Sequence, residues 1–192
     1  MSNTESRRAL IYIPIAHSQE DMGSLGQHLP AGADYHRLAE RRWDQIGQRV
    51  WALDLDWPRV KVYQDGLPDA GPDVVQRILA EVQSPNYEIL RWLVGQGAEL
   101  IGSESPALLK EEYGHLQGVL KAKEAAARAR AQRAYKQRAA ALLAERDAYI
   151  ARRIGATLPP GGVGLLFIGR AHRVAQHLPP DILVKSLPSK SK

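Results

Sequence analysis

The sequence predicts an α/β fold, a mainly parallel sheet flanked by helices with one long basic, alanine-rich helix. Three observations predict it. Short runs rich in β-branched residues alternate along the chain with helical patterns, the signature of strands joined by helical crossovers. One run, Val163-Gly164-Leu165-Leu166-Phe167-Ile168, is apolar almost throughout, as expected of a strand buried on both faces at the centre of a sheet. Residues 121–145, KAKEAAARARAQRAYKQRAAALLAE, consist almost entirely of strong helix formers.

The first strand is Leu10 to Ile15, and Pro14 within it predicts an edge strand or an early strand end, because proline cannot donate to a ladder. A loop or short helix is expected over 17–32. Helical spacing of Tyr35, Leu38, Ile46, Val50 and Leu53 predicts a helix over Asp34–Leu53. Arg59 to Tyr63 forms the second strand, closed by Gln64-Asp65-Gly66-Leu67-Pro68. Pro72 starts a helix over 72–83, and Ser84-Pro85 is a cap and first-turn pair for another over 85–94, ended by Gly95 and Gly97. Glu99 to Gly102 is a short third strand. Ser105-Pro106 opens a helical region that runs to about Ile154, with breaks expected near Gly114 or Gly118. Gly161-Gly162 turns the chain into the apolar strand, and Asp181 to Val184 is the last strand. Residues 1–186 read as one domain and 187–192 as a disordered tail.

Composition narrows the chemistry. The chain of 192 residues has no cysteine, which excludes disulfide scaffolds, cysteine nucleophiles, zinc–thiolate fingers and iron–sulfur ligation. Two arginines precede the apolar run Ala9–Ala16, but that run is short, contains Pro14 and ends in His17 and acids, unlike a signal peptide. No stretch approaches a membrane span, so a cytoplasmic location is expected. Charge is uneven: residues 1–105 hold 10 Lys/Arg against 15 Asp/Glu, and 106–192 hold 16 against 6. Such a basic stretch suits an anionic partner, although a solvated helix face is the simpler reading and stacking aromatics are lacking. Specific nucleic-acid binding is not expected; a helical arm that self-associates is an alternative use of the segment, without the heptads of a strong coiled coil.

In open α/β sheets, ligands bind beyond the carboxyl ends of the strands. There the sequence places His17 after the first strand, Asp65 after the second and Glu104 after the third. After the apolar strand comes Gly169-Arg170-Ala171-His172. Imidazoles and carboxylates converging on one edge suit a divalent metal or His-assisted attack by water. Asp147 falls on the apolar stripe formed by Leu143, Ile150 and Ile154, beside Arg146. A carboxylate there needs a partner. A helix-to-sheet salt bridge is the plainer reading, and orientation of a site residue such as His172 the sharper one. His28, His36, His115 and His177 have no such context, and the four tryptophans read as packing.

The segments Pro14-Ile15-Ala16-His17, Arg146-Asp147-Ala148-Tyr149-Ile150-Ala151 and Leu165 to His172 resemble the Tiki/TraB, erythromycin-esterase and ChaN-like superfamily. Its members carry an early Gly-x-x-His, an acidic residue after a strand, Arg-Asp or Arg-Asn on a helix and a second Gly-x-x-His. Gly169-Arg170-Ala171-His172 matches the last; Pro14 stands in place of the first glycine, and Glu104 corresponds to the acidic residue. The resemblance implies an α/β fold and a metal-dependent or His-assisted hydrolase. The expected site then comprises His17, His172, Glu104 and Asp65 as catalytic groups, His17, His172 and Glu104 as ligands of a divalent metal ion, and Arg170 and Arg146 as substrate-binding residues. The competing expectation is a non-catalytic binding or regulatory protein of the same fold that uses the basic helix.

Overall fold

The computed structural model describes residues 7–15 and 33–188, with backbone alone for 33–40. Five strands form one all-parallel sheet: β1 (Arg8–Ile15), β2 (Val60–Gln64), β3 (Glu99–Ile101), β4 (Val163–Gly169) and β5 (Ile182–Ser186), in the order β3-β2-β4-β1-β5. The helices are α1 (Ala33–Trp51), α2 (Pro72–Glu81), α3 (Pro85–Gly95), α4 (Pro106–Lys121) and α5 (Ala125–Thr157). As its apolar run requires, β4 lies at the centre, with Leu165 to Ile168 fully buried.

Alternation along the strands sorts side chains into two cores. Ile11, Ile13, Val62, Leu165 and Phe167 face α1, α2 and α3; Leu10, Tyr63, Leu166 and Ile168 face the C-terminal half of α5, through Ile150, Ile154 and Leu158. Trp51 and Trp57 pack edge-on against Trp92 with centroids 6.2 and 5.5 Å away, so these tryptophans are packing groups.

The structure corrects three expectations. β1 is an interior strand, between β4 and β5. Its even-numbered residues direct their amide nitrogens towards β5, as the bond from the Arg8 amide to Asp181 O shows. The β1–β5 pairing ends at Tyr12↔Ser186, so the nitrogen of Pro14 points past the end of the neighbour and no ladder bond is lost. The helical region breaks at Ala122–Glu124, and Gly114 and Gly118 lie within α4. α5 is a 33-residue helix about 50 Å long. Its N-terminal half lies along α4 as a helical hairpin; Arg138 bridges Glu111 and Glu145, and His115 stacks on Tyr135. Finally, the tail is held at its start: Leu187 is buried against the α1 side of the core, and Arg49 donates to the carbonyls of Leu187 and Pro188. An apolar side chain next to an open core edge explains that order.

Arg8 has a structural role of its own. Its guanidinium pairs with Asp181 and donates to the carbonyls of Gly155 and Leu158, placing a cation on the last turn of α5. Among the described residues no helix is long and apolar enough to cross a membrane.

Candidate functional site

Strand order locates the site. The chain leaves β2 outward to β3, whereas it leaves β4 in the opposite direction to β5, so a crevice opens between the carboxyl ends of β2 and β4. The ladder there ends at Asp65 N, which donates to Phe167 O at 2.9 Å. Beyond that point the Gly169 amide, which would otherwise lack a partner, donates to Asp65 Oδ2 at 2.9 Å. The carboxylate therefore continues the ladder into the crevice.

Glu104 arrives from β3. Ser103 and Glu104 both donate their amides to Leu67 O at 3.0 Å, and Asp69 N donates to Glu104 O at 2.7 Å, so the loops after β2 and β3 run side by side. Ser105 caps α4 immediately after, through its Oγ and the Leu108 amide. Glu104 is fully buried, and its Oε1 accepts from the Gly66 amide at 3.2 Å.

α5 supplies the third side. Arg146 is buried and spends four of its N–H directions on carboxylates: Nε on Glu104 Oε2 at 3.0 Å, Nη2 on Glu104 Oε1 at 2.6 Å and Asp65 Oδ1 at 2.9 Å, and Nη1 on Glu112 Oε2 at 2.5 Å. The bidentate Glu104 pair uses the fork geometry that only arginine offers. Arg146 lines the cleft, but its guanidinium is engaged in joining the ends of β2, β3 and α4. Tyr149 and Arg153, one and two turns on, pin Asp69 to the same helix at 3.1 and 2.8 Å.

His172 follows β4. Its Nδ1 lies 2.5 Å from Asp147 Oδ1, while Asp147 Oδ2 accepts from the Arg173 amide at 2.7 Å. An ionised carboxylate only accepts, so the imidazole carries its proton on Nδ1 and turns Nε2 towards Asp65 Oδ2, 3.5 Å away. Asp147 thus pairs with His172, while the plainer reading, a helix-to-sheet salt bridge, describes its neighbour Arg146. The signal of Asp147 in the sequence was a charge on an apolar helical stripe.

Electrostatics follow from this crowding. Four carboxylates (Asp65, Glu104, Glu112 and Asp147) face one guanidinium and one imidazole, an excess of negative charge in a buried place. Burial raises the Glu104 carboxyl above its usual range; Arg146 opposes that shift and Asp65 adds to it. Burial also pushes the Tyr12 phenol up to about 12, with Asp147 contributing in the same direction. For Arg146, burial favours the neutral form, yet pairing with Glu104 and its other acidic neighbours keeps it above the ordinary arginine value.

Asp65, Glu104 and His172, all buried, present ligand atoms within 4.8 Å of one another and could hold a metal ion. The structure thus brings together four expected site residues: Asp65, Glu104, His172 and Arg146. Arg170 is exposed and lines the same cleft, of about 760 Å³, which Ile15 at the end of β1 also lines. His17, expected as a catalytic and metal-binding partner, falls outside the described residues, as do Glu20, Asp21 and His28. Of the other imidazoles, His115 is engaged by Tyr135 on the hairpin, and His177 caps a short 3-10 turn, away from the cleft. Sequence reasoning missed Glu112, which lines the cleft; Gln64, read beside Asp65 at the end of the second strand, lines it too. Scans against family models, curated proteins and solved structures return no match for this chain.

Proposed function

We propose that the chain is a hydrolase in which His172 acts as general base on a water molecule in the cleft. The Asp147–His172 pair at the β2–β4 crevice carries this reading: a buried carboxylate fixes the tautomer and orientation of an imidazole that lines a ligand-sized cleft, with its second nitrogen 3.5 Å from Asp65 Oδ2. His172 Nε2 takes a proton from water as the oxygen adds to the carbonyl or other electrophilic centre of the substrate. The imidazolium, stabilised by Asp147, returns that proton to the leaving group when the bond breaks. Glu104 and Asp65, held by Arg146, set the negative field in which the imidazolium forms.

A divalent ion fits the donor set of Asp65, Glu104 and His172, and the excess of carboxylates favours one. Bound there, it would occupy the Nε2 lone pair and would supply Lewis-acid activation of water in place of the His172 base; Arg146 would keep the carboxylates in place. The match of Gly169-Arg170-Ala171-His172, and of Arg146-Asp147 one element earlier, to the Tiki/TraB, erythromycin-esterase and ChaN-like pattern supports the same reaction class.

The test is a panel of chromogenic aryl esters and fluorogenic amides with wild-type protein, with and without prior chelation, and with His172→Ala and Asp147→Asn. Hydrolysis should fall about 10²–10⁴-fold in His172→Ala. In Asp147→Asn it should fall by a smaller factor, with the acidic limb of the rate profile displaced. Wild-type turnover equal to that of His172→Ala across the panel would overturn the reading.

A further inference from the structure

Two features of the cleft are left unused by the hydrolytic groups. The first is its wall. Leu109, Tyr113 and Leu116 on α4, and Tyr135, Ala139 and Leu143 on α5, recur at helical spacing and line one continuous groove that ends at Arg146. Between the two helices the Tyr135 hydroxyl and the Arg146 guanidinium both bind the Glu112 carboxylate. α4 buries none of its residues, and Tyr113 is 47% exposed, so this apolar stripe faces open space in the cleft. A volume of about 760 Å³ is in the range of small-molecule sites.

The second is its unmatched polar groups. Lys110 and Arg170 also line the cleft, Arg170 two residues before His172, and neither side chain has an ion-pair partner among the described residues. Gln64, 1% exposed on the sheet edge beside Asp65, donates its Nε2 to Asp65 O, but its Oε1 has no partner. A buried acceptor left empty is unfavourable, so a ligand that donates to it gains affinity.

We infer that the cleft takes an N-acylated amino acid: an apolar acyl arm along the α4–α5 groove, an amide N–H on Gln64 Oε1, and a free carboxylate on Lys110 and Arg170. Three chemical demands of the cleft coincide in that class. The inference rests on the proposed hydrolysis only in setting the amide near His172; the recognition itself is a binding claim.

The experiment is calorimetric titration of N-decanoylglycine, below its micellar concentration, against the full chain and its variants. Saturable one-to-one binding is expected, weakened at least tenfold by Leu116→Glu, a partly exposed position where the change is compatible with folding. The methyl ester of the same compound should bind at least tenfold more weakly than the acid to wild type. It should bind the double variant Lys110→Ala/Arg170→Ala about as well as the acid does. Gln64→Leu should weaken N-decanoylglycine about three- to tenfold, the value of one hydrogen bond, and leave N-decanoyl-N-methylglycine, which lacks the N–H, unchanged. His172→Ala should keep the binding. No saturable binding by wild type, equal binding of acid and ester, or indifference to Leu116→Glu would each overturn the inference. Ester hydrolysis without such binding would leave the hydrolase reading standing alone, and binding retained in a protein that hydrolyses nothing would remove only the hydrolase.

Discussion

At the scale of single residues, Arg146 has the largest consequence. One guanidinium holds Glu104, Asp65 and Glu112 together, and removing one partner of a buried ion pair costs about 3–5 kcal/mol because the remaining charges lose their counter-charge. Arg146→Met should therefore lower stability by about that amount in urea unfolding, and lose less below pH 4, where the stranded carboxyls take up protons. Glu104 carries its own pH signature. Its folded-state pKa is raised, burial being the main cause. The stability this contributes is complete below the ordinary glutamate value of 4.5 and is lost as pH rises through the folded value. Glu104→Gln removes that slope, so the melting temperature of the variant should improve relative to wild type as pH rises from 4.5 to 8. Parallel curves would show that the carboxyl does not titrate differently on folding. These partners could not be named in advance: Arg146 and Asp65 are 81 residues apart, and residue spacing carries no information at that range.

At the scale of elements, glycines show how each is placed. A Cβ on Gly102 would lie 2.1 Å from Pro68 O and 2.8 Å from Pro68 C, backbone that cannot rotate away. Gly102 is thus the reason the loops after β2 and β3 can lie side by side and deliver Glu104 to Arg146. Gly102→Ala should cost about 1–3 kcal/mol by overpacking and reduce hydrolysis more than the stability loss accounts for. Gly114 and Gly118 lie inside α4 with open space around them. Their replacement by alanine should instead stabilise the hairpin by up to about 1 kcal/mol each, since helical glycine loses more backbone entropy. Both sets are read from urea midpoints at constant slope. Sequence reasoning treated Gly114 and Gly118 as breaks; packing against α5 overrides their weak propensity.

At the scale of the whole molecule, stability is uneven. α5 is one continuous helix, yet its buried residues begin only at Leu142, and α4 has none. The sheet and the last four turns of α5 form the well-buried body, whereas the outer hairpin is held by partly exposed pairs such as Arg138 with Glu111 and Glu145. Hydrogen exchange should separate them, with amides of 108–138 opening at a far lower free energy than those of 143–157. Equal protection along α5 would contradict this. The groove wall proposed for the acyl arm then belongs to the more yielding part and the groups proposed for hydrolysis to the rigid part. A ligand in the groove should raise protection selectively over 108–138.

Local pattern was enough to predict five strands in a mainly parallel sheet, the apolar centre Val163–Ile168, the capped helices and the polar residues at the strand ends. Each depends on local periodicity, capping or turn chemistry, physics that acts over a few residues. Asp65, Glu104 and His172 were legible as site residues for the same reason: in a parallel sheet the C-terminal ends share one edge. Tertiary structure alone decided the order β3-β2-β4-β1-β5, and with it the crevice between β2 and β4. It made β1 an interior strand despite Pro14, because β5 stops short of it. It also turned Asp147 into the partner of His172 and Arg146 into the centre of three carboxylates. The physical reason is the same in each case: a buried charge states that it needs a partner, but only packing of distant elements brings that partner within hydrogen-bond reach.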